Sequence, residues 1–317
     1  MANILLTHRC NRSCPYCFAT GHQEGDSPEN ILTWDSLVSL INLLKKSDEK
    51  RVFFLGGEPS LHPQMVEFCL YSISRGVGVT MFSNGIWSEA LLAGAGYQLL
   101  RLPKDMFSIV CNLNQPDIAS AAELVRVHDF LSFFGNRVTT GFNIYRSDFD
   151  IAFVFEYIRR FGLQSGIRIG LAHPTPGKTN CHLKISDMPK AVSRLMSYGP
   201  DFSAHKISLF LDCGFPRCLF SDDDISLLSR LNSDEVHFGC SPIIDIGPDM
   251  KVWSCFPLIR QDPRPVIEFA SFDDIYLHYE NKLNELRTDK AGIFRECEQC
   301  HYRKAGECAG GCLGHLT

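Results

Sequence analysis

Apolar residues between positions 3 and 171 follow two rhythms in turn. Short β-branched or aromatic runs alternate with longer stretches in which apolar residues return every three or four positions. Successive βα units around a parallel sheet produce this pattern. Six strands are predicted, at Asn3–His8, Arg51–Leu55, Val77–Ser83, Phe107–Asn112, Val138–Tyr145 and Gly166–Leu171. After the first, Leu37, Leu40, Ile41 and Leu44 mark one helical face, with Thr33 placed to cap the helix start. After the second, Val66, Cys69, Leu70 and Ile73 repeat the spacing, which makes Cys69 a small apolar helix residue. Cys111, inside the fourth strand, reads the same way, and Cys181 lies undecided in a polar loop.

The rhythm breaks at His173-Pro-Thr-Pro-Gly177, and beyond it only a helix over roughly Asp187–Tyr198 is clear. Ser221 followed by Asp222–Asp224 marks a solvated helix start, its acidic side chains favourable to the helix dipole. The expected organisation is an α/β unit over residues 1–205 and a small cysteine-rich unit over 206–317, closely packed, with no internal repeat.

Composition narrows the setting. At 317 residues, 45% hydrophobic and 21% charged, the chain suits a globular protein with a real core. A net charge of −5 argues against a nucleic-acid-coating surface. No signal-peptide pattern or membrane-length apolar run occurs, so a cytoplasmic location without membrane contact is expected. In a reducing compartment the 14 cysteines speak for metal binding, catalysis or packing rather than disulfides.

Two groups of cysteines stand out. Cys10-Asn-Arg-Ser-Cys14-Pro-Tyr-Cys17 directly follows a predicted strand. Three thiolates there can each take one iron of a cubane cluster, leaving the fourth iron open to a small molecule. Zinc is the alternative, with His8 or His22 as the fourth ligand. The second predicted strand ends in Gly56-Gly57-Glu58-Pro59, a pair of glycines permitting close backbone approach, then a carboxylate and a rigid proline. Ligand groups collect at the C-terminal ends of parallel barrel strands, so both motifs should face one cavity.

The second group comprises Cys213, Cys218, Cys240, Cys255, Cys297, Cys300, Cys308 and Cys312. Eight thiols serve two fully protein-ligated [4Fe–4S] clusters or two four-cysteine zinc sites.

The first loop, joined to Gly-Gly-Glu-Pro at this separation, resembles the radical S-adenosylmethionine (radical SAM) superfamily over about residues 3–205. The resemblance implies a partial six-unit (β/α) barrel, a [4Fe–4S] cluster on Cys10, Cys14 and Cys17, and S-adenosylmethionine chelated by the open iron. It also implies that Tyr16 lies against the adenine and that Gly56, Gly57 and Glu58, before Pro59, position the methionine amino group. Ser83 and Asn84 look like the family's third-strand contact, and Asn112 stands at the position of a ribose contact, where relatives carry serine. The implied chemistry is reductive cleavage to a 5′-deoxyadenosyl radical. It requires no general base for initiation, so no catalytic side chain is nominated.

The later cysteines resemble a SPASM or Twitch-like auxiliary-cluster domain. Met250 stands where relatives have glycine, the Cys300 to Cys308 gap is seven residues rather than five, and no cysteine follows Cys312 before Thr317. The expected repair assigns Cys240, Cys255, Cys312 and one of Cys213 and Cys218 to a first cluster. Cys297, Cys300 and Cys308 then hold a second, completed by the other member of that pair or by His315. A single auxiliary cluster is the rival.

This combination implies oxidation or crosslinking of a peptide or protein side chain, with flavodoxin or ferredoxin as electron donor. Nine residues precede Cys10, so no fused leader-binding domain is expected. A radical enzyme acting on a sugar, nucleotide or cofactor precursor is the alternative, and a non-catalytic iron–sulfur or zinc module is a third. His173, Asp212 and Asp245 are further candidates to face the cavity.

Overall fold

A computed structural model describes residues 2–19, 31–176, 180–232 and 236–316. His22 and Gly177 lie outside these. The chain builds one ten-stranded sheet in the order β10-β9-β8-β1-β2-β3-β4-β5-β6-β7. All six predicted strands are present: β1 (Ala2–Thr7), β2 (Arg51–Gly56), β3 (Gly78–Ser83), β4 (Phe107–Asn112), β5 (Val138–Ile144) and β6 (Gly166–Leu171). They pair in parallel, each with the next, as a partial barrel requires.

Alternation along these strands separates two faces. Ile4, Leu6, Val52, Phe54, Val79, Met81, Ile109, Cys111, Phe142, Ile144, Ile167 and Ile169 join one buried cluster with the helix residues Leu37, Leu40, Ile41 and Leu44. Each such fully buried side chain contributes about 1.5–3 kcal/mol. The opposite face carries Asn3, Phe53, Phe82, Asn112, Asn143 and Arg168, all half-buried, and forms the barrel interior.

Helix boundaries follow local chemistry. Thr33 accepts a hydrogen bond from the Ser36 N–H at the start of Trp34–Lys46, and Ser221 with Asp224 forms a complete capping box before Asp222–Leu231. The helix expected near 187–198 runs over Met188–Ser197. One helical face differs from expectation. In Met65–Ser74 the buried side is Met65, Val66, Phe68, Cys69 and Ser72, whereas Leu70 is exposed. Phe68 is the larger apolar group, and turning it inward carries Leu70 out. Cys69 and Cys111 are completely buried, and burial pushes both thiols up, Cys111 to about 12.

Four further strands come from the chain after residue 206. β7 (Ser208–Leu211) adds in parallel to β6. Its Leu209 N–H and C=O both bond to the Asn232 side-chain amide, which takes the place of a neighbouring strand. At the other edge, β8 (Ile244–Ile246) pairs in parallel with β1 and turns back into β9 (Lys251–Ser254), against which β10 (Arg264–Pro265) lies antiparallel. Met250 closes the β8–β9 turn at φ +60°, the left-handed conformation that glycine adopts without strain. The cysteine-rich region therefore supplies strands to both edges of the barrel sheet. Among the described residues, no helix is long and apolar enough to cross a membrane.

Asp245 on β8 is buried and accepts a hydrogen bond from Asn3 Nδ2 at 2.7 Å. Burial raises its carboxyl pKa to about 7 from 3.8. A carboxyl raised in the fold favours the native state at low pH, and that stability is lost as pH climbs from about 4 through about 7. Asp245→Asn keeps an acceptor for Asn3 and removes the titration. Urea denaturation should show little difference between variant and parent at pH 4 and a more stable variant at pH 8, by up to about 4 kcal/mol. Equal slopes of stability against pH would refute this reading.

Candidate active site

The two sequence motifs meet through their backbones. Where β1 ends, Gly57 N–H donates to Thr7 C=O at 2.8 Å and Glu58 N–H to Arg9 C=O at 2.7 Å. A Cβ on Gly56 would stand 2.2 Å from the Thr7 oxygen, and one on Gly57 would stand 2.1 Å from the Arg9 oxygen. The glycines thus admit the cysteine loop itself. Sequence reasoning assigned that room to a ligand, because pattern alone does not say which backbone approaches.

Glu58 turns sideways rather than outward. Its buried carboxylate accepts from Ser60 N–H (3.2 Å), Ser83 Oγ (2.9 Å) and Asn84 N–H (2.7 Å), tying β2 to the end of β3. Pro59 opens the short turn Pro59–Leu61 beside it. Ser83 Oγ also accepts from Gly85 N–H and Trp87 Nε1, so this hydroxyl is a strut of the wall.

Asn84 reaches the cysteine loop directly. Its Nδ2 donates to Asn11 Oδ1 at 2.7 Å and lies 3.8 Å from Cys10 Sγ. Asn114 Nδ2 stands at the same distance from Cys14 Sγ, and its Oδ1 accepts from Tyr16 OH at 2.6 Å. The Tyr16 ring stacks on Tyr145 at 5.0 Å. The Cys10 and Cys14 sulfurs therefore each face an amide N–H. Asn112 lays its side chain over Gly141, where a Cβ would meet Asn112 Oδ1 at 2.3 Å.

Like Asn114, Arg12 is a residue that sequence reasoning missed. Buried inside the loop, it donates to Asn112 C=O at 2.9 Å and Asn84 C=O at 3.0 Å, and pairs with Glu123 at 2.7 Å. It thus fastens the loop to the ends of β3 and β4 and to helix Ala121–Phe134. An arginine between two cysteines gives no signal of that burial.

The Cys10 thiol is pushed up to about 11, first by burial, then by Glu58 and the other two cysteines, with the Arg12 backbone opposing. A bound cation reverses this, because metal ligation requires thiolates. The all-sulfur donor set and the amides aimed at it fit a [4Fe–4S] cluster.

The later cysteines separate into two sets. Cys213, Cys240, Cys255 and Cys312 are electrostatic neighbours, as are Cys218, Cys297, Cys300 and Cys308. Burial is the first cause of the raised thiols in both. Cys308 Sγ accepts from Arg217 and Gly310 N–H groups at 3.4 and 3.2 Å. His315 is hydrogen-bonded to His173 at 3.2 Å beside His182. No disulfide joins any of the 14 cysteines. Among the described residues, no three His, Cys, Asp or Glu side chains converge to hold a single ion.

Between these sites, Arg168 Nε meets Asp212 Oδ1 at 2.7 Å, with its guanidinium over the Phe82 ring at 4.8 Å. Burial raises the Asp212 carboxyl and Arg168 draws it back.

A three-cysteine loop at the strand ends of a partial barrel is a place where three thiolates can hold a cubane cluster with one iron left open. Residues 4–132 match the Radical SAM superfamily, and the chain carries that domain, with its S-adenosylmethionine and [4Fe–4S] cofactors. The S-adenosylmethionine-dependent nucleotide dehydratase of Selenomonas ruminantium is 29% identical over 83 residues, 26% of this chain and 29% of that protein. The chain thus spans less than a third of the length of the first curated relatives it matches. Solved structures share the fold across this chain. Streptococcus suis SuiB bound to precursor peptide SuiA has a TM-score of 0.70 at 16% identity, covering 99% of this chain and 72% of that one. Native anSMEcpe with bound AdoMet has a TM-score of 0.68 at 16% identity, covering 99% and 90%.

Gly57→Ala drives a methyl into the Arg9 carbonyl. It should destabilise the protein by at least about 3 kcal/mol and lower iron retained on Cys10, Cys14 and Cys17. Unchanged melting and iron content would show that the loop does not depend on this approach.

Proposed function

We propose that this radical SAM enzyme modifies a peptide or protein side chain, with two auxiliary [4Fe–4S] clusters. The observation carrying this reading is the division of eight later cysteines into two sets of four, Cys213 joining Cys240, Cys255 and Cys312, and Cys218 joining Cys297, Cys300 and Cys308. Cysteine-only sets of that size suit fully protein-ligated clusters. The likeness to SuiB with its precursor peptide supports the substrate class.

Cys10, Cys14 and Cys17 would hold the cluster, and the chemistry it would supply together with S-adenosylmethionine is removal of a substrate hydrogen by a carbon-centred radical. The chain's own residues hold this centre in place. Asn84 and Asn114 direct N–H groups at Cys10 and Cys14, which offsets thiolate charge. Tyr16, braced by Asn114 and Tyr145, offers a flat wall for the adenine, and the backbone of Gly56–Glu58 closes the loop's other side. Arg12 keeps the loop in register with β3 and β4. A flavodoxin or ferredoxin donates the electron in a cytoplasmic setting.

A second reading, a nucleotide or other small molecule as substrate, is favoured by the matched stretch of the nucleotide dehydratase. A small peptide gene beside this one supports the first reading, and a sugar or cofactor operon the second.

Anaerobically reconstituted protein should contain about twelve irons, and Cys218→Ala should lose about four of them. About eight irons in the parent would instead mean one auxiliary cluster. The parent should form 5′-deoxyadenosine under reduction, and replacing Cys10, Cys14 and Cys17 by alanine should abolish it. Mass shifts on candidate peptides then test the substrate class.

A further inference from the structure

Arg168 on β6 and Asp212 just after β7 form the charged pair on the barrel's inner face, and Asp212 immediately precedes Cys213 of the first later set. The register explains how the pair reaches the interior. Asn112 lies opposite Gly141, which lies opposite Arg168, and Asn143 lies opposite Gly170. A Cβ on Gly170 would meet Asn143 Oδ1 at 2.5 Å and Asp212 Oδ2 at 3.0 Å. Glycine at two inner positions thus lets Asn112, Asn143, Asp212 and Arg168 spread into one polar surface between the first cysteine loop and the later ones.

On this surface Arg168 is held from two sides. Asp212 engages Nε at 2.7 Å, and Phe82, from a strand three places away in the sheet, carries the guanidinium plane at 4.8 Å. An arginine fixed through Nε still has Nη donors along its other edge, a planar fork suited to a carboxylate or phosphate. The Arg168 side chain keeps 34% of its exposure and Asp212 keeps 25%, so this edge is open to the interior. A pair serving only to join β6 to β7 has no need of the Phe82 platform, since backbone pairing already joins those strands.

We propose that Arg168 is the anchor for an oxyanion of the substrate, namely the carboxylate of an acidic residue in the peptide, with Asp212 and Phe82 as its positioning residues. The proposal rests on the peptide-modifying reading given above. It places the acidic residue between the first loop and Cys213, next to the carbon that reacts.

Phenylglyoxal labelling of the anaerobically reconstituted protein, mapped by peptide mass spectrometry, tests it. Arg168 should be labelled in the free protein and protected at least about fivefold by millimolar N-acetyl-glutamate N-methylamide. The neutral N-acetyl-glutamine N-methylamide should not protect it. In Asp212→Asn the fork loses its brace, and the protection should fall while labelling of other arginines stays as in the parent. Protection by inorganic phosphate but not by the carboxylate would overturn the acidic-peptide assignment in favour of a phosphorylated substrate. Equal labelling with and without either anion would reduce the pair to a tie between strands. 5′-Deoxyadenosine formation by the same parent preparation separates these outcomes from failure of the radical SAM reading, since it needs no substrate anion.

Discussion

Everything at the site depends on the close approach of two backbones at the ends of β1 and β2. The bonds from Gly57 and Glu58 to Thr7 and Arg9 fix where the cysteine loop leaves the sheet. Contact at this distance leaves no room for a side chain, so the glycine pair is a steric requirement of the loop before it is a binding feature. Cys10, Cys14 and Cys17 inherit their positions from it.

The same approach creates a polar burden that the surrounding strands must satisfy. Glu58 and Arg12 bring opposite charges into the wall, and unpaired buried charge is strongly destabilising. Glu58 is met by two backbone N–H groups and a hydroxyl, and Arg12 by two carbonyls and Glu123. Three of these bonds converge on the end of β3, and the others reach the turn after β2, the end of β4 and helix Ala121–Phe134, so satisfying the charges also sets β2, β3 and β4 relative to the loop. Removing one partner would leave the other buried and unmet, so a substitution in this wall carries the cost of an unpaired buried charge.

The strands of the barrel were legible because each is six or seven residues of mainly apolar or β-branched character between turn residues. β8 and β10 were not, being three and two residues long, too short to show any period. β7 hides for a related reason: Ser208–Leu211 is only four residues long and follows directly on Lys206 in a left-handed turn. At the site, residues that bear chemistry by type were visible, the cysteines above all. Arg12 and Asn114 were not, because their roles lie in what they touch. The sequence could separate Cys213 from Cys218, but which of them stands beside which set is likewise a tertiary fact.

The position of β8 beside β1 makes the cysteine-rich region part of the site's frame. β9 follows β8 and delivers Trp253, Cys255 and Phe256 against the start of the chain. Leu5, Ala19, Trp253 and Phe256 form one buried cluster that packs on Cys17, and Phe18 meets Phe256 at 4.6 Å between ring centres. Each aromatic directly follows a cysteine, Cys17 in one case and Cys255 in the other. Cys255 itself sits at φ +50°, a conformation costly for a residue with a side chain and held only by firm surroundings. Close packing transmits such constraints instead of absorbing them. The first cysteine loop and the first of the later sets are consequently held by a shared apolar contact, and a shift in one loop must be accommodated by the other.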